Sequence, residues 1–140
     1  AMPDGRGLPP GSGDYNTGKL VYTSNCMACH GVDLGGVAGT GAAALIGGRD
    51  SLASGKPKKT VESYWPYAST VFDYVKRAMP FNAPGSLSDD EVYAVVAYVL
   101  GEANILDKTA TLNATSLPMI DMPNKDGFIS DPRPDVFNYE

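Results

Sequence analysis

One short motif constrains what this chain can fold around. Cysteines 26 and 29 are followed directly by a histidine, in the order Cys26-Met27-Ala28-Cys29-His30. C-x-x-C-H is typical of covalent attachment of a c-type haem, because one helical turn places both thiols at the same porphyrin edge. The chain has no other cysteine or histidine. We therefore expect one covalent haem c, bound through Cys26 and Cys29, with His30 as an iron ligand.

Three other uses of a Cys-x-x-Cys pair fit the sequence less well. A thioredoxin-like redox pair needs a strand–helix–strand context, and no such pattern surrounds these residues. A zinc site needs two further cysteine or histidine ligands, which the chain lacks. A structural disulfide across two intervening residues would restrict the unfolded chain very little.

Length and composition predict one domain with long irregular segments. A chain of 140 residues matches a single domain, while 16 glycines and 11 prolines are many for that length. A buried porphyrin supplies apolar area that side chains then need not provide. We predict an all-α fold of few helices around one haem: an extended arm over residues 1–13, a haem domain over 14–103 and an irregular tail over 104–140.

Capping signals predict where the helices lie. Asp14 can cap a first helix that ends near Asn25, and residues 31–62 form a glycine-rich loop. Ser69 and Thr70 are candidate caps for a short helix over 71–78, which the proline at position 80 stops. The clearest signal is a capping box formed by Ser88 and Glu91. The valines that follow have helical spacing, and the glycine at 101 suits the C-terminal cap.

Met79 is the best candidate for the second iron ligand. With a single histidine, ligation by two histidines is excluded, and thioether sulfur is the common alternative. Met27 lies inside the attachment motif and cannot reach the opposite haem face. Met2 lies in the terminal arm, and Met119 and Met122 lie in the irregular tail. The competing interpretation of Met79 is a gap-filling core residue; an iron left open on that side would indicate an enzyme or gas sensor.

Further side chains are candidates for lining the haem. Leu45 and Ile46 are the expected apolar contacts from the long loop to a haem face. Arg49 and Trp65 can donate hydrogen bonds to the haem propionates. Tyr67, together with Tyr64, can line the haem. For each of these residues, an ordinary surface or core position is the alternative interpretation.

Charge and hydropathy narrow the possible partners. The net charge of −5 argues against a nucleic-acid partner. It suits docking to a basic patch on a redox protein, and the alternative is that the charge only maintains solubility. No apolar run approaches the length of a membrane span. The first residues show no signal-peptide pattern, so we expect a mature chain or an excised domain. Because such haems are attached outside the cytoplasm, the expected location is the periplasm.

With these motifs in place, the chain resembles class I cytochromes c. The residues that carry the resemblance are the attachment motif, the Met79 loop and the capped last helix. Gly18 and Tyr22 match the first-helix contact of that family, and Ala97-Tyr98 matches its partner on the last helix. The resemblance implies the class I cytochrome c fold and a carrier of single electrons that is not itself an enzyme.

A narrower resemblance covers nearly the whole chain. Residues 63–84, the arm over 3–13 and the tail over 117–129 are similar to the haem subunits of periplasmic sulfane and sulfite dehydrogenases. The resemblance implies electrons from a molybdenum-cofactor dehydrogenase subunit and a downstream cytochrome or oxidase as acceptor. Those haem subunits can carry a further haem region, whereas this chain has one motif. A general electron carrier unrelated to sulfur oxidation is the alternative.

Overall fold

A computed structural model describes residues 2, 4–31, 34–36, 44–47, 60–62, 65–80 and 83–124; of Ala28 and Cys29 it describes the backbone. These ranges contain four helices, two short strands and one 3-10 turn. The helices are α1 (Tyr15–Asn25), α2 (Met27–His30), α3 (Ala68–Ala78) and α4 (Asp89–Glu102). The strands are β1 (Ser12–Asp14) and β2 (Thr111–Asn113), and the 3-10 turn is Leu117–Met119.

Helix α1 begins and ends where the sequence predicted. The Asp14 carboxylate accepts a hydrogen bond from the Thr17 amide at 2.9 Å, which satisfies one free N–H group of the first turn. That hydrogen bond also lowers the pKa of Asp14. The buried residues of α1 are Gly18, Val21 and Tyr22, so the helix turns this side toward the core.

Helix α4 is the centre of the described core. Its predicted capping box is present: the Ser88 hydroxyl accepts from the Glu91 amide at 3.2 Å, and the Ser88 amide donates to Glu91 Oε1 at 2.9 Å. All residues from 92 to 101 are buried. A helix buried on all sides is a core element rather than a surface helix.

The predicted cap at Gly101 is wrong. The helix continues through Gly101 to Glu102, and Ala103 is the C-terminal cap. A Cβ atom at position 101 would lie 2.8 Å from Cδ2 of Tyr15. The glycine therefore makes room for a ring from α1, and Asn104 adopts the left-handed conformation with φ of 57°.

The predicted start of the third helix is also wrong. Helix α3 begins at Ala68, not at 71, and Tyr67 is its N-terminal cap without a side-chain hydrogen bond. Ser69 lies inside the first turn and is fully buried, because the apolar face of α3 begins earlier than the caps suggested. The predicted end at Ala78, before Pro80, is confirmed.

Helices α1 and α4 cross at very short range. A Cβ atom at Gly18 would lie 1.9 Å from the carbonyl oxygen of Ala94 and 2.8 Å from Cβ of Tyr98. The contact between the first and last helices that the resemblance implied for Gly18 and Tyr98 is thus confirmed. The crossing joins the helix that leads into Cys26 to the central helix of the core.

A small sheet was not predicted. Strands β1 and β2 pair antiparallel, with Gly13 opposite Leu112, so the described part of the chain combines its helices with a two-stranded sheet. Gly13 also passes the backbone of α4, since an added Cβ atom would lie 2.2 Å from the Ala94 nitrogen. Leu112, Leu117 and Met122 are buried, so the segment after α4 packs on the core as far as it is described. The division into arm, haem domain and tail stays a prediction.

Loss of the α4 cap gives a testable stability change. Ser88→Ala removes the acceptor for the Glu91 amide, and we expect the free energy of unfolding to fall by about 1 kcal/mol. Ser86→Ala is the matched control, because Ser86 is exposed and lies outside the helix; its change should stay within about 0.5 kcal/mol. Urea unfolding followed by circular dichroism measures both. Equal stability of the two variants would contradict a contribution from the cap.

Candidate haem site

The attachment motif forms one helical turn at the end of α1. Cys26 is the C-terminal cap of α1 and the N-terminal cap of α2. The amide of His30 donates to the Cys26 carbonyl at 2.9 Å, and the amide of Gly31 donates to the Met27 carbonyl at 2.9 Å. The motif therefore forms a helical turn, and the His30 side chain is half-buried. The placement of the two thiols at one porphyrin edge stays a prediction.

Two hydrogen bonds hold the chain that follows His30. The buried Tyr22 hydroxyl donates to the Gly31 carbonyl at 2.5 Å, and the Gly36 amide donates to the His30 carbonyl at 2.7 Å. Gly31 has a φ of 88°, a conformation that glycine adopts without a steric penalty. Sequence reasoning identified Tyr22 only as a helix contact; that it also anchors the turn next to His30 depends on tertiary structure.

The described part of the long loop ties Leu45 to the motif. The Leu34 amide donates to the Gly31 carbonyl at 3.2 Å, and the Leu45 amide donates to the Leu34 carbonyl at 2.8 Å. Leu45 and Ile46 are half-buried and pack against the core. Further along, the Thr60 hydroxyl donates to the Gly47 carbonyl at 2.8 Å. Two successive backbone hydrogen bonds therefore link Leu45 to the residue after His30, and its contact with a haem stays a prediction.

Met79 stands where α3 ends. It is the C-terminal cap of α3, and its amide donates to the Val75 carbonyl at 3.2 Å. The side chain is half-buried, and the next residue, Pro80, is buried. Lys76 spans the two ends of the loop: its ammonium donates to the Leu87 carbonyl at 2.8 Å and lies 3.2 Å from an Asp89 carboxylate oxygen. The loop that carries Met79 is thus held between α3 and α4.

The remaining predicted residues divide into two groups. Trp65 is half-buried, packs against the core and meets the Tyr74 ring edge-on, with centroids 5.6 Å apart. Tyr67 is more exposed, at 39% of its surface. Arg49 and Tyr64 lie outside the described residues. The roles of Trp65, Tyr67 and Arg49 beside a haem stay predictions.

The residues present fit a covalently bound haem. Two cysteines and an imidazole stand on one helical turn, and a thioether is held on a loop elsewhere. His30, Met79, Leu45 and Trp65 are all half-buried, as expected for side chains at the wall of a crevice. The hydroxyl of Ser69 in α3 is fully buried and has no hydrogen-bond partner within the described ranges. The sequence had predicted this serine as a helix cap.

A hydrogen-bonded cluster joins the outer end of α1 to the end of α4. The Tyr15 hydroxyl donates to the Glu102 carboxylate. This hydrogen bond, with smaller effects of burial and of the Glu102 charge, raises the pKa of Tyr15 to about 12. Lys108 lies 3.9 Å from the same carboxylate and 5.4 Å from the centre of the Tyr15 ring. The phenol therefore keeps its proton and presents it to a carboxylate.

Within the described ranges, no helix combines the length and the apolar character needed to cross a bilayer.

Comparisons with known proteins agree with this geometry. A sequence model of the cytochrome c family matches residues 15–102, from the first residue of α1 to the last residue of α4. The thiosulfate dehydrogenase of Stutzerimonas stutzeri (strain A1501) is 31% identical over 93 residues, which are 65% of this chain but 28% of that protein. Cytochrome c6 of Synechococcus elongatus is 30% identical over 96 residues, 64% of this chain and 92% of that protein.

A solved structure is similar over almost the whole chain. The crystal structure of the sulfane dehydrogenase SoxCD from Paracoccus pantotrophus contains a chain that is 41% identical, with a TM-score of 0.90. The superposition covers 96% of this chain and 66% of that one. This chain therefore spans about two thirds of the SoxCD chain and less than a third of the thiosulfate dehydrogenase.

Proposed function

The chain belongs to the cytochrome c family and is an electron-carrying haem protein, and we propose that its electrons come from a molybdenum-dependent dehydrogenase of sulfur compounds in the periplasm. The observation that carries this proposal is the similarity to a sulfane dehydrogenase chain over 96% of the present chain. The thiosulfate dehydrogenase match supports the same class of chemistry. A downstream cytochrome or oxidase is the proposed acceptor.

Membership of the family implies covalently bound haem c, and we propose that this chain holds a single haem. When bound, the haem supplies a one-electron change between ferric and ferrous iron. Cys26 and Cys29 would hold the porphyrin through thioether bonds, and His30 and Met79 would bind the iron. A thioether ligand would raise the reduction potential relative to a second histidine.

The hydrogen bonds around these ligands support the proposed roles. Tyr22 and Gly36 restrain the backbone carbonyls of Gly31 and His30, and Lys76 restrains the loop of Met79. Ligands that keep one geometry in both oxidation states need little rearrangement when an electron arrives. The arrangement suits electron transfer, and we propose that the chain itself performs no substrate turnover.

Charge near the Met79 loop favours a basic partner. The first turn of α4 carries Asp89, Asp90 and Glu91, and Lys76 connects this turn to the end of α3. The whole chain has a net charge of −5. Opposite charges on two proteins raise the rate of encounter, and salt screens this attraction. We therefore propose that the acidic first turn of α4 lies near the docking surface.

A second candidate function is that of a general soluble electron carrier. The match to cytochrome c6 covers 92% of that protein. The name cytochrome c6, unlike that of thiosulfate dehydrogenase, refers to no sulfur compound. The two candidates differ in the electron donor, so donor kinetics separate them.

Stopped-flow reduction of the oxidised haem protein is the test of the proposed donor. After mixing with a molybdenum-dependent sulfite or sulfane dehydrogenase subunit and its sulfur substrate, we expect the haem to become reduced, at a rate that the stopped-flow record gives. The same mixture without the sulfur substrate is the control and should leave the haem oxidised. The rate should fall as ionic strength rises from about 0.01 M to about 1 M, because the screening length shrinks from ~30 Å to ~3 Å.

Reduction by an uncharged hydroquinone is the matched control for salt, and its rate should be nearly constant over the same range. Failure of every such dehydrogenase to reduce a haem that the hydroquinone reduces would leave the general carrier as the function. A donor rate that does not change with salt would contradict the acidic docking surface alone.

A further inference from the structure

Gly47 is held through both of its backbone polar groups by residues that lie far from it in sequence. The Thr60 hydroxyl donates to the Gly47 carbonyl at 2.8 Å, and the Gly47 amide donates to Oε1 of Glu62 at 2.7 Å. Thr60 is 3% exposed, and Glu62 is half-buried. Gly47 has a φ of 98°, which glycine adopts without a steric penalty. We name Gly47, Thr60 and Glu62 the loop clamp.

The segment that leads into Gly47 is fixed at its other end as well. The Leu45 amide donates to the Leu34 carbonyl at 2.8 Å, and the Leu34 amide donates to the Gly31 carbonyl at 3.2 Å. Leu34 is 1% exposed and has a φ of 62°, a conformation that disfavours residues other than glycine. Such a conformation persists only where the surrounding contacts outweigh its cost. The turn between the attachment motif and Leu45 is therefore determined by its packing.

Two apolar side chains lie between these two anchors. Leu45 and Ile46 are half-buried and pack against the core on one side. Their backbone is tied at the start to the turn after His30 and at the end to the loop clamp. Partly accessible apolar side chains are stabilised when an apolar ligand covers them, and a backbone that is already ordered loses little entropy on binding. The segment has the properties of a preformed wall for one side of a haem.

We propose that Thr60 and Glu62 are positioning residues that hold Leu45 and Ile46 against the haem and thereby keep water away from it. This proposal depends on the proposed function, because it needs a bound haem. Ferric haem carries one more positive charge than ferrous haem, so nearby water favours the ferric form and an apolar wall favours the ferrous form. The loop clamp therefore raises the reduction potential.

The hydroxyl of Thr60 is the part of the loop clamp that a single substitution can remove most cleanly. Valine has nearly the same shape as threonine but cannot donate a hydrogen bond, so Thr60→Val leaves the Gly47 carbonyl without this donor. A carbonyl that loses its partner in a partly buried place is costly unless water replaces the donor. Water that enters to solvate the Gly47 carbonyl lies next to the wall formed by Leu45 and Ile46.

A redox titration of the holoprotein tests the role of Thr60. At the potential where the wild type is half reduced, Thr60→Val should raise the ratio of ferric to ferrous haem by about fivefold. Thr60→Ser keeps the hydroxyl, and its ratio should stay within about twofold of the wild type. Thr109→Val is the control at a distant place, because it removes an exposed hydroxyl that donates to Asp107; its ratio should equal that of the wild type.

A second pair of variants tests Glu62. Glu62→Ala and Glu62→Gln lose the same negative charge, but the glutamine amide keeps an oxygen that can accept from the Gly47 amide. The difference between the two variants therefore reports the hydrogen bond and not the charge. We expect the ratio of ferric to ferrous haem to be about threefold higher in Glu62→Ala than in Glu62→Gln. Equal ratios would contradict the role of Glu62 in the loop clamp.

Amide hydrogen exchange, followed by NMR in the ferrous protein, reports the position of the segment itself. The amides of Leu45 and Gly47 are both donors in the hydrogen bonds that fix it, and they should exchange about tenfold faster in Thr60→Val than in Thr60→Ser. A clamp that only stabilises the loop would change this exchange and leave the ratio of ferric to ferrous haem as it is in the wild type.

Equal ratios in Thr60→Val and Thr60→Ser would overturn the proposal, even if the two amides exchange faster, because the segment would then not border the haem. The absorption spectrum of each sample separates this result from a failure of the proposed function. A sample without covalent haem contradicts the proposed function and the loop clamp together. A normal haem spectrum with equal ratios contradicts the loop clamp alone.

Discussion

The oxidised Met79→Ala protein is expected to lose the absorption band at about 695 nm that is typical of methionine sulfur on ferric haem. Its reduction potential should also fall by on the order of a few hundred millivolts, part of the ~0.8 V range that axial ligands set. The physical reason is that a thioether favours ferrous iron, and alanine offers no replacement donor. Absorption spectroscopy and a redox titration of the holoprotein measure the two effects.

Met119→Ala is the matched control for this change. Met119 belongs to the 3-10 turn after β2 and is 78% exposed, so its loss should leave both the band and the potential unchanged. A band that survives in Met79→Ala would contradict the assignment and return the question to the other methionines. A band absent from the wild type would favour an iron with an open position, hence an enzyme or sensor.

The contacts of the Met79 loop explain why we expect a complete loss rather than a partial one. The backbone of Met79 is held by the hydrogen bond from its N–H to the Val75 carbonyl, and the two ends of its loop are joined by Lys76. Met122, the nearest alternative in sequence apart from Met119, is 3% exposed and belongs to the buried core. A second sulfur would have to leave its packed position to reach the iron.

Features with a local cause were predictable from the sequence. Asp14 and Ser88 cap their helices through hydrogen bonds that span three residues, so the residues involved are visible in a short window. The conformation of the attachment motif is local as well, since the five residues from Cys26 to His30 form one helical turn. For Gly18 the resemblance implied a contact with the last helix, and the structure confirms that contact with α4.

Features with a tertiary cause were predicted wrongly or missed. A glycine after the helical valines is typical of a C-terminal cap, and Gly101 was predicted as one. It is instead buried inside α4, because a side chain at this position would collide with the Tyr15 ring. Ser69 was predicted as an N-terminal cap, but it lies within α3 and is buried together with the apolar residues of that helix. The pairing of β1 with β2 joins segments from opposite ends of the chain, and neither three-residue strand has a recognisable alternation by itself.

The Gly18→Ala variant is the strongest test of the helix crossing, because two physical effects predict opposite signs. Alanine is better than glycine within a helix by about 1 kcal/mol, so intrinsic propensity predicts a more stable protein. The structure predicts the reverse, since the new Cβ atom would lie 1.9 Å from the Ala94 carbonyl oxygen and 2.5 Å from its carbon. Those are backbone atoms, which cannot rotate away as a flexible side chain would.

The two helices must therefore separate, and we expect Gly18→Ala to lower the free energy of unfolding by about 3 kcal/mol. For a chain of this size, that loss corresponds to a fall of about 10 °C in Tm. Lys19→Ala is the matched control: Lys19 is the exposed neighbour on the same helix, and its loss should change stability by no more than about 0.5 kcal/mol. Thermal unfolding of the holoprotein decides, and a Gly18→Ala protein as stable as the wild type would show that α1 and α4 do not cross this closely. The crossing matters for the haem, because the same helix carries Tyr22 to its hydrogen bond beside His30.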